Sequence, residues 1–209
     1  MLPSRLYAIL DIDLTTARGL EPARVLDAWL AAGVRLIQLR AKSTPSGALL
    51  DMADRFGARA RSAGATFLIN DRADIARMAA ADGVHVGQDD LPPRQVRRVM
   101  GAASIVGLST HTMEELTVAV AELIDYVAVG AVYATTSKPP GHPVVGLDGV
   151  RRAAEAVRAR ALPIVGIGGI TLHNARDVIQ AGASAVAVIS DLLVGDVATR
   201  AKAYLTVLA

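Results

Sequence analysis

The segment Gln38-Leu39-Arg40-Ala41-Lys42 sets an amide, a guanidinium and an ammonium at alternate positions. Along an extended strand those three side chains share one side. Two cations stacked inside a protein cost several kcal/mol unless an anion lies beside them. Only three lysines occur, Lys42, Lys138 and Lys202, and the first two fall at expected strand ends. An ammonium suits phosphate as a compact point charge, and a guanidinium suits it as a two-pronged fork. The competing interpretation is structural: these cations could pair with barrel carboxylates and hold loops together.

Carboxylates are at hand for either purpose. Asp11 and Asp13 stand at the end of the first expected strand, Asp71 closes the third, and Asp89-Asp90 follows the fourth. Hard carboxylates without His or Cys beside them favour Mg²⁺, which takes few protein ligands and fills its shell with water and phosphate oxygens. Cations facing two carboxylates are what a magnesium pyrophosphate requires. Either Asp90 or Asp89 could partner Asp71, and the pair could also cap a helix ahead of Leu91-Pro92-Pro93. A second phosphate site is suggested by Gly168-Gly169 after the seventh strand and Ser190 after the eighth. Loops there often bind phosphate through glycine N–H groups, although glycines also serve tight turns. Two such sites imply two phosphorylated substrates, hence a transferase more readily than an isomerase. Thr135-Thr136-Ser137-Lys138-Pro139-Pro140-Gly141 reads either as a lid over substrate or as a solvated turn. His85, between valines, reads as a satisfied core residue, and so do Tyr7 and Trp29. His111, His142 and His173 lack the acid spacing of a triad or zinc site.

Short continuous apolar runs alternate with amphipathic segments and would position these groups. The runs are Leu6–Ile12, Leu36–Arg40, Thr66–Asn70, Gly83–Gly87, Ile105–Ser109, Tyr126–Val132, Pro163–Gly168 and Ala185–Ser190. Unbroken apolarity marks strands covered on both faces, as in parallel sheets. Helical patterns lie at Val25–Ala32, Leu49–Ala63, Ile75–Ala80, Gln95–Met100, Glu114–Leu123, Gly149–Arg158, Asn174–Ala181 and Thr199–Leu208. This count predicts an α/β fold, a (β/α)8 TIM barrel spanning residues 1–209 as one domain, with a doubly wound open sheet as runner-up. In such a barrel the strand ends gather at one face, where active sites lie.

Composition removes several classes. The chain has 209 residues, no cysteine and a net charge of +2. Disulfides, thiolate metal sites and a cysteine nucleophile are excluded, and a reducing cytoplasm is expected. No run of five like charges suggests nucleic-acid binding. Met1-Leu2-Pro3-Ser4-Arg5 lacks the features of a signal peptide, and no apolar stretch is long enough to span a membrane. The expected partners are small phosphorylated molecules, with neither nucleic acid nor membrane, and the chain is compatible with a homo-oligomer.

Across nearly the whole chain the residues resemble the thiamine-phosphate synthase family. The likeness rests on Gln38-Leu39-Arg40-Ala41-Lys42, Asn70-Asp71-Arg72, Gly83-Val84-His85-Val86-Gly87-Gln88-Asp89-Asp90, Gly107-Leu108-Ser109-Thr110-His111 and Gly166-Ile167-Gly168-Gly169-Ile170. It implies condensation of 4-amino-2-methyl-5-hydroxymethylpyrimidine pyrophosphate with 4-methyl-5-(2-phosphoethyl)thiazole, giving thiamine phosphate and pyrophosphate. Gln38, Arg40, Lys42, Asn70, Ser109 and Lys138 would match the residues that hold the pyrimidine pyrophosphate, with Lys138 and Ser109 also in catalytic roles. Asp71 and Asp90 would match the Mg²⁺ ligands. Thr135, Thr136, Ser137, Gly169, Ile189 and Ser190 would match the thiazole-phosphate contacts, with Gly168 an alternative to Gly169. Two departures stand out: Ala131 follows Gly130 where the family often has proline, and the Thr135–Lys138 loop differs from its T-S-T-K pattern. The rival likeness is to the related thiazole tautomerase, which typically lacks the paired acids and carries a histidine where Ala131 stands. A non-catalytic barrel that binds a phosphate ligand is the alternative of another class.

Overall fold

The computed structural model describes residues 2–135 and 144–209. Eight parallel strands close into a barrel in chain order: β1 Leu6–Asp11, β2 Leu36–Arg40, β3 Thr66–Asn70, β4 Gly83–Val86, β5 Ile105–Thr110, β6 Tyr126–Val129, β7 Ile164–Ile167 and β8 Ala185–Val188. Closure comes from β1 against β8, with Leu6 opposite Val186 and Tyr7 opposite Ala187. The α-helices among the described residues are α1 Ile12–Ala17, α2 Pro22–Ala32, α3 Ser46–Ser62, α4 Ala73–Met78, α5 Pro93–Met100, α6 Met113–Val120, α7 Gly146–Val157, α8 Ala175–Gln180 and α9 Val197–Leu208. No helix among the described residues is long and apolar enough to cross a membrane.

Strand alternation divides the core in two. Tyr7, Ile9, Leu36, Leu68, Tyr126, Ala128, Val165, Ala185 and Ala187 form one buried cluster. Their neighbours Leu6, Ala8, Leu10, Ile37, Leu39, Val127, Val129 and Val186 join the other, where the helices pack on the sheet. Strands buried on both faces carry no polar periodicity, which is why they read as apolar runs.

The TIM-barrel prediction is borne out, and the differences lie at element ends. The first strand stops at Asp11 rather than Ile12. There the Asp11 carboxylate accepts the Leu14 N–H at 2.9 Å and caps α1, a six-residue helix that the sequence pattern did not reveal. The sixth strand stops at Val129, short of the expected Val132. Val132 and Tyr133 still donate to the carbonyls of Ile167 and Gly168, at 2.9 and 3.1 Å. The eighth strand stops at Val188, short of Ser190, which opens a 3-10 turn over Ser190–Leu193.

Candidate active site

All eight strands are parallel, so their C-terminal ends share one face of the barrel. A cavity of about 150 Å³ opens there, lined by Gln38, Arg40, Lys42, Asn70, Asp71, Asp90, Ser109 and Ile189 together with Tyr7 and His85. Ligand sites for drug-sized molecules start near 300 Å³, so this space suits a group of about one ring's size. Eight of the predicted site residues thus share one cavity. Thr135, Gly169 and Ser190 are absent from its lining and occupy the loops after β6, β7 and β8. Thr136, Ser137 and Lys138 lie outside the described residues, as does His142.

The cations are held by carboxylates, as the structural interpretation of the sequence anticipated. The Arg40 guanidinium, its side chain only 15% exposed, pairs with Asp11. Lys42 Nζ lies 3.3 Å from Asp71 Oδ2, with its side chain 56% exposed and free to move toward solvent. Both cations at the barrel mouth are thus compensated by carboxylates.

Asp71 is fixed by its backbone. It lies in the left-handed region, with φ 62°, which Asp tolerates better than most residues. Its N–H donates to the His85 carbonyl at 2.8 Å, and Arg72 N–H donates to the Asn70 carbonyl at 2.7 Å. The Asp71 carboxyl is pushed above its ordinary value by burial first and then by its hydrogen bond and charge contact with Asp90; Lys42 opposes this. Asp90 Oδ2 accepts the Gly87 N–H at 2.7 Å. Asp90 rather than Asp89 lines the cavity, and α5 begins after Pro92 without a side-chain cap. The helix-capping alternative for these acids is therefore not what forms.

This donor set fits Mg²⁺. Two hard carboxylates meet at one point, and their mutual repulsion is what a divalent cation would relieve. No cluster of three or more His, Cys, Asp or Glu occurs among the described residues. A Mg²⁺ ion does not need one, because it retains water and takes phosphate oxygens.

Sequence reasoning missed three polar side chains, Tyr7 and His85 lining the cavity and Tyr126 bonded to both. Tyr7, Tyr126 and His85 are buried and hydrogen-bonded to one another. Gln38 Nε2 donates to the Tyr7 hydroxyl at 2.6 Å, and the Tyr7 and Tyr126 hydroxyls are 2.9 Å apart. His85 Nδ1 lies 2.8 Å from the Tyr126 hydroxyl, and Nε2 lies 2.8 Å from Ser109 Oγ. Burial pushes the Tyr7 hydroxyl up to about 12 and Tyr126 well above its ordinary value, so both keep their hydrogens. The signal that could find them is the register that sets His85 opposite Gly107 and Gly107 opposite Tyr126, which no single strand displays. His85 is a satisfied histidine as predicted, but it also reaches the site. His111 pairs with Glu115 in the first turn of α6, a local contact rather than a triad.

The glycines at the end of β7 serve the turn. Gly168 and Gly169 have φ of 95° and 64°. A Cβ on Gly168 would lie 2.6 Å from Ala131 Cβ, and one on Gly169 would lie 2.5 Å from the Ala134 carbonyl oxygen. Both are required for the loop after β6 to lie against them. Arg18 Nη1 donates to the Ser190 carbonyl at 2.7 Å and ties the end of α1 to the turn after β8.

Comparison with known proteins agrees with this geometry. A family model described as thiamine monophosphate synthase matches residues 6–192. The thiamine-phosphate synthase of Koribacter versatilis (strain Ellin345) is 44% identical over 98% of this chain and 95% of its own length. That of Moorella thermoacetica (strain ATCC 39073 / JCM 9320) is also 44% identical, over 94% of this chain and 92% of its own. Among solved structures, a thiamine phosphate pyrophosphorylase from Pyrococcus furiosus superposes with a TM-score of 0.86 at 30% identity, covering 98% of this chain and 95% of that one.

Proposed function

Because the chain belongs to the thiamine monophosphate synthase family, we propose that the mouth of its barrel joins an aminopyrimidine methyl pyrophosphate to a thiazole phosphate. The products are thiamine phosphate and pyrophosphate. The observation that carries this reading is the convergence of Gln38, Arg40, Lys42, Asn70, Asp71, Asp90 and Ser109 on one cavity from the ends of four strands.

Each group has a role suited to its chemistry. Gln38 and Ser109 hold the ring at the cavity floor. Arg40 and Lys42 leave their carboxylate partners to bind the pyrophosphate, joined by Lys138, which follows β6 in the sequence. Asp71 and Asp90 would hold Mg²⁺, which when bound neutralises charge on the departing pyrophosphate. As the C–O bond to pyrophosphate breaks, the aminopyrimidine ring spreads the positive charge left on its methylene carbon. The thiazole nitrogen then supplies the electron pair of the new C–N bond. Ile189 with Thr135, Thr136, Ser137, Gly169 and Ser190 holds the thiazole phosphate in line. Such a reaction draws on positioning and charge stabilisation rather than on a strong base.

The test is direct. Protein mixed with both substrates and Mg²⁺ should release thiamine phosphate and pyrophosphate in equal amounts. EDTA or Asp71→Ala should abolish both products, and Lys138→Ala should reduce turnover strongly. Product formation undiminished by EDTA and by Asp71→Ala would overturn the metal assignment. No product with thiazole phosphate still bound would redirect the reading to a tautomerase.

A further inference from the structure

A row of five buried side chains crosses the barrel under the cavity: Gln38, Tyr7, Tyr126, His85 and Ser109. Its two ends are the groups assigned above to the ring, and its three central members are assigned to nothing. We propose that Tyr7, Tyr126 and His85 are positioning residues that give Gln38 and Ser109 one shared hydrogen-bonding sense, and thereby select an amino-substituted ring over its oxo counterpart. The inference rests on the reading that Gln38 and Ser109 hold the pyrimidine.

The sense of the row follows from its first bond. Gln38 presents nitrogen to the Tyr7 oxygen, at 2.6 Å. Tyr7 then donates to Tyr126, Tyr126 donates to His85 Nδ1, and the hydrogen on His85 Nε2 goes to Ser109 Oγ. The Ser109 hydroxyl hydrogen is left for the cavity. If Tyr126 instead donated to Tyr7, the Tyr7 hydroxyl hydrogen would lose its acceptor in a buried site, which is costly.

Selectivity follows at the Gln38 end. With one N–H committed to Tyr7, the amide offers an oxygen acceptor beside its remaining N–H donor. An aminopyrimidine edge, with an exocyclic N–H beside a ring nitrogen lone pair, is its complement. An oxo ring shows the mirrored pattern, a carbonyl beside a ring N–H. Gln38 could meet it only by turning its amide over, which would put oxygen against Tyr7 and reverse every bond as far as Ser109. The row thus links recognition of the ring to the donor capacity of Ser109.

The backbone is built to permit this row. Gly107 sits between its rings, opposite His85 on one side and Tyr126 on the other. A Cβ there would fall 2.1 Å from Tyr126 Cζ and 2.3 Å from its hydroxyl oxygen. The bare strand lets the Tyr126 ring stack on His85 with centroids 5.5 Å apart. A glycine inside a strand weakens it, and here the vacated space is filled by the ring that carries the row.

The experiment pairs spectroscopy with selectivity. In ¹⁵N-labelled wild type, His85 should be neutral with its hydrogen on Nε2. Tyr126→Phe and Tyr7→Phe each delete one hydroxyl with little change of shape. Each should raise KM for the pyrimidine pyrophosphate about tenfold and weaken by a similar factor the preference over the 4-oxo analogue used as competitor. KM for the thiazole phosphate should stay unchanged. A hydrogen on Nδ1 in wild type, an unchanged ring preference in the variants, or equal losses for both substrates would overturn the inference. If Tyr126→Phe does not fold, Tyr7→Phe and the wild-type spectrum decide. A wild type that forms no thiamine phosphate overturns the functional reading and the ring preference with it. An active wild type whose variants keep the preference overturns this inference alone.

Discussion

Asp11 serves an element and a site at once: it caps α1 and neutralises Arg40. Asn caps a helix about as well as Asp, so Asp11→Asn removes the charge and keeps the cap. The largely buried guanidinium then lacks its charged partner, a situation that costs up to about 3 kcal/mol. The variant should melt below wild type, and inorganic pyrophosphate should raise its Tm more than it raises that of wild type. Equal shifts in the two proteins would show that Arg40 does not receive the pyrophosphate. At this scale the sequence was informative where polarity alternates. Gln38, Arg40 and Lys42 stand out because every second residue is polar, and the cavity receives all three. Tyr7 and His85 did not stand out, since one polar residue amid apolar neighbours looks the same facing either way. Only the register that sets His85 opposite Gly107 reveals what it touches.

Asp191 does at the level of elements what Asp11 does at the level of side chains. Lying in the turn after β8, it accepts the Leu172 N–H from the loop after β7, and Arg200 and Tyr204 from α9. Burial alone would raise its carboxyl, but the bonds from Tyr204, Arg200 and Leu172 together hold it below the ordinary value. A carboxylate depressed in the folded state adds stability above its unfolded pKa, about 3.9, and that stability is lost as pH falls through the lower native value. Asp191→Asn should therefore melt well below wild type at neutral pH, and the gap should narrow once pH drops under about 4. Melting curves across that range check this, and a constant gap would reject it. Elements were legible where an apolar pattern stands between polar or glycine-containing breaks. The continuous apolar strands declared themselves, whereas α1 follows β1 without a break at Asp11 and has only Ile12 and Thr15 buried, and the turn at Ser190–Leu193 spans four residues, too few for a helical period to emerge. The apolar run of the sixth strand overshoots its end because apolar residues continue past Val129 into a loop that is buried at Val132.

At the scale of the whole molecule, the barrel closes where the first strand meets the last. Helix α9 covers this seam: Ala201, Tyr204 and Leu208 are buried, and Arg5 donates to the Leu208 carbonyl at 3.2 Å. Burying residues such as Tyr204 and Leu208 contributes about 1.5–3 kcal/mol each, against a total stability of about 5–15 kcal/mol for a typical domain. A chain cut after Gly195 should thus lose its single sharp melting transition and bind a dye that reports exposed apolar surface. A sharp transition retained after the cut would show that the seam holds without α9. Closure itself was foreseen from eight strand–helix units in so short a chain, but the pairing of cations with Asp11 and Asp71 was not decided by any spacing. That pairing governs how a substrate arrives as well as how it is held. With Arg40 and Lys42 each matched by a carboxylate and a net charge of +2 over 209 residues, little field reaches into the solvent to draw an anion inward. Encounter with the pyrophosphate is then a matter of ordinary diffusion, its capture rate nearly flat with ionic strength, and one ligand is told from another by how slowly it leaves.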